Sequence, residues 1–264
     1  MNLMKKSGDR HARGLFVVEG IRMVREVPPA LLDKIYVTEH FASEIDDCTL
    51  VSDEVMAHMS GTVTPQGVLA TVHMPSYTLE DVIGTANATG ARTAAKTANA
   101  KSCPLIVILE NIQDPGNLGT IMRSCEGAGV TGIIMSEDTV DIYNPKVVRS
   151  TMGSLFRMPF IYAKDIAEVT RHLGREGYKT YAAALTGSVP YTSVSYTEPC
   201  AILIGNEGNG LTDNAINAAS SCIRIPMNGS LESLNAAVST AVITYEALRQ
   251  RSLIRTNASI IDAS

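Results

Sequence analysis

The 264-residue sequence has no tryptophan, 5% aromatic residues and five cysteines. Cys48, Cys103, Cys125, Cys200 and Cys222 are odd in number, far apart and without a C-x-x-C pair, which argues against a disulfide scaffold or zinc finger and predicts reduced, mostly buried thiols. The five histidines do not pair at ligand spacing, and four of them fall in the first 73 residues, so no metal is expected. No run of about eighteen apolar residues exists, and the opening Met1 to Arg13 is polar and basic where a secretory leader needs apolar residues. A cytoplasmic protein without a membrane span is therefore expected. Positive charge is also scarce: the net charge of −5 argues against a uniformly basic nucleic-acid binder. Its distribution is uneven, because residues 1–25 hold Lys5, Lys6, Arg10, Arg13, Arg22 and Arg25 against Asp9 and Glu19. That basic arm suits phosphate contact, although a solvated, partly disordered start would carry the same charges.

What is present is enough apolar material for a core: 45% hydrophobic and 19% charged residues. A composition break at residues 84–101, GTANATGARTAAKTANAK, lacks any large apolar side chain and reads as a linker between a front domain, 1–83, and a second domain, 102–264. In the front part, apolar runs at Leu15–Val18, Lys34–Val37 and Gly67–His73 alternate with helix-like stretches around Arg22 and Glu54, predicting a small α/β domain. Behind the linker, strand-length apolar runs appear at Leu105–Leu109, Gly132–Met135, Pro159–Tyr162, Thr180–Leu185, Ala201–Ile204 and Cys222–Ile225. Apolar strands separated by helical patterns predict an α/β fold with a parallel sheet covered on both faces and ligands at the carboxyl ends of the strands. A final helix is expected over Ser233–Arg251.

Three segments carry the chemistry. The first, Glu110 to Arg123, follows a strand: Asp114-Pro115-Gly116 makes a turn, Asn117 can cap a helix, and Arg123 lies about one turn beyond Gly119. The second, Gly205-Asn206-Glu207-Gly208-Asn209-Gly210, is a glycine-rich loop after Ile204 that offers backbone N–H groups to a ligand. No Gly-Lys-Ser/Thr follows it, and its glycine order departs from the dinucleotide fingerprint, so a P-loop and a nicotinamide dehydrogenase are both disfavoured. The third, Ile225-Pro226-Met227 through Ser233-Leu234-Asn235, leads into the last helix with Ser233 placed as N-cap. Without a G-x-S-x-G elbow or partner histidine, that serine does not suggest a hydrolase.

Together these segments resemble the SpoU/TrmH family of RNA ribose methyltransferases, whose motifs are Asn-x-Gly-x-x-x-Arg, Asn/Ala-Glu-Gly-x-Gly and Ile-Pro-Met…Ser-Leu-Asn, in that order. Phe16-Val17-Val18-Glu19-Gly20 and Thr64-Pro65-Gln66-Gly67-Val68 resemble the L30e-like substrate-binding domain of two-domain members. The resemblance implies a trefoil-knotted methyltransferase domain, a homodimer, and a bent S-adenosylmethionine held by Leu185, Ile204, Gly205, Ile225, Met227 and Leu234. It places Arg123 at the acceptor hydroxyl, with Asn117, Glu207, Ser233 and Asn235 around it, and makes structured RNA the substrate, with guanosine of 23S ribosomal RNA favoured. Arg13, Arg22 and Arg149 are the expected phosphate contacts. The arginine is often described in the family as a general base; because a guanidinium stays protonated at ordinary pH, electrostatic stabilisation of the ribose oxygen is the cheaper account. Transfer RNA, or ribosomal RNA modified for antibiotic resistance, would need the same chemistry. An RNA-binding assembly factor with a vestigial knot would bind no cofactor. The long linker, Cys125-Glu126 in the first motif helix and the negative net charge depart from the family's usual pattern.

Overall fold

The computed structural model describes residues 3–60, 62, 64–83 and 103–261, so the expected linker lies outside the described residues. The elements up to residue 83 are α1 (Ser7–Arg13), β1 (Leu15–Glu19), α2 (Ile21–Arg25), β2 (Leu32–Val37), β3 (Thr49–Leu50), α3 (Asp53–Met59), β4 (Val68–His73) and α4 (Leu79–Ile83). Then come β5 (Leu105–Leu109), α5 (Pro115–Gly127), β6 (Gly132–Ser136), α6 (Pro145–Thr151), β7 (Phe160–Ala163), α7 (Ile166–Arg175), β8 (Lys179–Ala183) and β9 (Val189–Pro190). The chain continues with β10 (Cys200–Ile204), α8 (Asp213–Ala218), β11 (Ser221–Arg224) and α9 (Ala236–Ile261).

These elements form two compact units: Met1–Ser76 with Asp141–Arg157, and Tyr77–Val140 with Met158–Ser264. This division differs from one drawn at residue 83 in two places. Helix α4 packs with the second unit, where Val82 is fully buried in the core and Gly132 of β6 leaves room for its backbone; a Cβ at 132 would lie 2.7 Å from the Val82 Cα. The stretch 141–157 packs with the first unit, because Phe156 stacks on the fully buried Phe16 and Tyr143 lies tilted against it.

In the first unit the sheet runs β1-β4-β2-β3, antiparallel except for β2 with β3. Its basic opening is a helix. Arg10 is only 3% exposed, and its guanidinium donates to the Leu3 carbonyl at 2.8 Å and through Nε to Asp141 at 3.1 Å. A cation buried this deeply needs such a partner, and Arg10 is thereby unavailable to phosphate.

In the second unit seven strands lie in the order β7-β6-β5-β10-β8-β11-β9, every pairing parallel. The central β5 and β10 are apolar throughout and buried, as a sheet covered on both faces requires. This is the α/β architecture expected from the apolar runs. Two helix starts shift from expectation. Asp114, not Asn117, caps α5, accepting from the Asn117 N–H at 2.8 Å with Pro115 at the first helical position. Asn235, not Ser233, caps α9, its side-chain oxygen accepting from the Ala237 N–H at 2.9 Å. The five thiols are free, but only Cys125 and Cys200 are buried; Cys48, Cys103 and Cys222 are half-exposed. Among the described residues no helix is long and apolar enough to cross a membrane.

Candidate active site

Strands β8, β10 and β11 end side by side, and the segments leaving them enclose a cleft of about 380 Å³. Residues 183–186 form one wall, 204–211 a second, and Ile223, Arg224, Ile225 and Met227 a third; Glu232, Ser233 and Leu234 and the first turns of α9 close it. All six residues expected around a cofactor, Leu185, Ile204, Gly205, Ile225, Met227 and Leu234, line this one cleft. Leu185 is 57% exposed there, an apolar side chain for a ligand to cover. A cleft of this size with aliphatic walls and backbone polar groups fits a small cofactor.

The second wall owes its shape to Gly205 and Asn206. A Cβ at 205 would stand 2.2 Å from the Gly210 carbonyl carbon, so only glycine lets the loop close on itself. The Asn206 side-chain oxygen accepts from the N–H groups of Gly208 at 2.7 Å and Asn209 at 2.8 Å, and Gly210 N–H returns to the Asn206 carbonyl at 2.9 Å. The closed loop presents Glu207 to α5, where the Asn117 amide donates to its carboxylate. Asn235 in turn donates to the Asn117 side-chain oxygen at 3.0 Å. Three of the expected catalytic residues, contributed by all three motifs, thus form one hydrogen-bonded chain, and Glu207 belongs to both the chain and the cleft wall.

Ser233 lines the cleft and is exposed, outside this chain. Arg123 is exposed on α5 and, among the described residues, holds no hydrogen bond or ion pair, so its guanidinium is available to a ligand. Of the expected phosphate contacts, Arg13 and Arg22 are exposed, whereas Arg149 is half-buried with its guanidinium 3.9 Å from Glu19. Glu19 is 5% exposed and accepts from Ser60 at 2.6 Å and Thr62 at 2.9 Å. Spacing arguments missed both the Asn117–Glu207–Asn235 chain as a bonded unit and the engagement of Arg149.

An all-parallel α/β sheet with a cofactor-sized cleft and a polar chain at its carboxyl edge defines the class of α/β proteins that bind a small ligand at the strand ends, rather than one activity. The family model described as the SpoU rRNA Methylase family matches residues 104–245, and the MRM3-like substrate binding domain matches residues 1–70. The chain belongs to the SpoU rRNA methylase family. It is 29% identical over 244 residues to the 23S rRNA (guanosine(2553)-2′-O)-methyltransferase RlmP of Bacillus subtilis, with 90% of each chain covered. Its fold is similar to that of the SpoU methyltransferase AviRb of Streptomyces viridochromogenes, at a TM-score of 0.77 and 26% identity over 95% of both chains. An AdoMet-bound rRNA methyltransferase of Sinorhizobium meliloti is equally similar, at a TM-score of 0.78 and 26% identity, covering 94% of this chain and 92% of that one.

Proposed function

We propose that the protein transfers a methyl group from S-adenosylmethionine to the ribose 2′-hydroxyl of a guanosine in 23S ribosomal RNA. Methylation of ribosomal RNA from S-adenosylmethionine follows from family membership; the base and the particular RNA are our reading, supported by the likeness to RlmP over nearly the whole chain. The observation that carries the reading is Glu207, which is at once part of the cofactor-sized cleft and bonded to Asn117 of the first motif.

Leu185, Ile204, Gly205, Ile225, Met227 and Leu234 would hold the cofactor, which supplies an electrophilic methyl carbon when bound. The chain's own task is alignment, since in-line displacement rewards a fixed approach angle and a short distance. Asn117, Glu207 and Asn235 tie α5, the glycine loop and the cap of α9 together, so the acceptor ribose meets a preset frame. Ser233 adds an exposed hydroxyl beside it. The Arg123 guanidinium stabilises the charge that develops on the ribose oxygen while the hydroxyl proton leaves to phosphate or water.

The first unit, with Arg13, Arg22 and the Glu19-bound Arg149, is the RNA-gripping part in this reading. The second unit carries the knot, threaded by the segments that wall the cleft, and pairs with a second copy through α9, which leaves Val238 47% and Tyr245 50% exposed. The protein acts in the cytoplasm, where ribosomal RNA is matured. Labelled methyl transfer to purified 23S ribosomal RNA and to transfer RNA, with Arg123→Ala beside the wild type, tests the assignment. Label on 23S ribosomal RNA alone that vanishes in the variant is expected. Label on transfer RNA alone would overturn the substrate, and absence of S-adenosylmethionine binding would overturn the reaction.

A further inference from the structure

A carboxylate that the reaction chemistry does not use sits at the exit of β5. One oxygen of Glu110 accepts the Thr212 N–H at 2.7 Å and the other accepts the Thr212 hydroxyl at 2.8 Å, across 102 residues of chain. The Glu110 N–H meanwhile donates to the Ile204 carbonyl at 2.9 Å. Glu110 therefore holds the glycine loop at both ends: Ile204 precedes Gly205, and Thr212 follows the buried Leu211. Thr212 also begins α8, its hydroxyl oxygen accepting from the Ala215 N–H at 3.2 Å. Inside the loop Asn206 supplies the closure already described; among the described residues, the bonds from Glu110 tie the two ends of the loop to the exit of β5.

We propose that Glu110 is a positioning residue that pins the exit of the 205–211 loop, and so sets both the cofactor wall and the reach of Glu207 to Asn117; its cofactor arm rests on the function proposed above. Two bonds to an ionised carboxylate are charge-assisted and stronger than neutral ones. Glutamine at 110 can accept the Thr212 N–H with its oxygen and donate its amide N–H to the Thr212 hydroxyl oxygen, which already accepts from Ala215 N–H, so both contacts become neutral and weaker and the hydroxyl hydrogen loses its acceptor. The freed loop then samples open forms, and apparent cofactor affinity falls in proportion to the closed fraction. A closed fraction near one tenth raises the KM for S-adenosylmethionine about tenfold. Once the cofactor is bound and the wall is closed, turnover returns to normal.

The experiment compares wild type, Glu110→Gln, Thr212→Val and Thr212→Ser by amide hydrogen exchange of the peptide spanning 203–213 and by steady-state methyl transfer. Faster exchange confined to that peptide is expected in Glu110→Gln. The KM for S-adenosylmethionine should rise about tenfold, with kcat and the KM for RNA within about twofold of wild type. Thr212→Val should reproduce this, and Thr212→Ser, which keeps the hydroxyl, should stay within about twofold of wild type. Thr212→Val also serves should Glu110→Gln not fold. Unchanged exchange would overturn the clamp, and so would a fall in kcat at unchanged KM, which would place Glu110 in the chemistry. A wild-type protein that fails to bind S-adenosylmethionine would refute the proposed reaction, while the exchange result would still decide the clamp.

Discussion

Replacing Gly205 by alanine tests whether one backbone contact shapes the cleft. The added methyl would lie 2.2 Å from the Gly210 carbonyl carbon, 2.3 Å from the Leu211 nitrogen and 2.4 Å from the Gly210 oxygen. All three are backbone atoms that no rotamer change can move. Relief requires opening the loop and losing the 2.9 Å bond from Gly210 N–H to the Asn206 carbonyl. Overpacking against fixed atoms costs about 3 kcal/mol, at the upper end of its usual range. In a domain of this size each kcal/mol lowers the thermal midpoint by roughly 2–4 °C, so a fall of about 6–12 °C is expected. The wall that should hold the cofactor moves with the loop, and the Kd for S-adenosylmethionine should rise by more than about tenfold. Gly208→Ala is the control: three residues on, its Cβ meets only the Asn206 side-chain oxygen at 3.4 Å, an ordinary contact. Its midpoint should stay within about 2 °C of wild type. Scanning fluorimetry and titration calorimetry on both variants decide the matter. Equal behaviour of Gly205→Ala and Gly208→Ala would refute the reasoning, because the loop would then yield without cost.

Three further predictions follow from named contacts. Asn117→Asp removes the donor to Glu207 and opposes two carboxylates, so kcat should fall at least about tenfold while the protein stays folded; activity within twofold of wild type would separate the Asn117–Glu207 bond from catalysis. Arg123→Lys keeps the charge but loses the planar fork, and kcat should drop about a hundredfold with the KM for S-adenosylmethionine little changed; lysine activity within a fewfold of wild type would refute the electrostatic role. Burial alone would raise the Asp141 pKa, but hydrogen bonds from Arg10, the Tyr143 N–H and Ser7 outweigh it and hold the carboxyl below its ordinary 3.8. A depressed folded-state pKa stabilises fully above the unfolded value and fades as pH falls through the folded one, so the midpoint gap between wild type and Asp141→Asn should be constant above about pH 5 and shrink below about pH 4. A gap that is flat from about pH 3 to pH 7 would remove that linkage.

How much of this was legible in the sequence depends on the range over which each feature is decided. The strands were readable because their residues have no solvent side: Leu105 to Leu109 are each fully buried, and such runs need only local composition to be seen. Helix starts were misplaced where several capping residues compete within a few positions. Asp114 prevails over Asn117 because Pro115 fits the first helical position, a signal that was present in the sequence. Asn235 and Ser233 could not be ranked that way, since Asn235 is also engaged by Asn117, 118 residues away. The same holds for one cation of the opening arm: no local signal shows that Arg10 is held by Asp141, 131 residues on. In the site, the six motif residues expected around a cofactor all line one cavity. What they could not provide is the bonding among motifs: Glu207 to Asn117, Asn117 to Asn235, and Glu110 to Thr212 all join segments that leave strands brought together by the order β5-β10-β8-β11. That order is set by the packing of the whole sheet, so the residues of this site can be read from one chain, whereas the bonds that align them are a property of the fold.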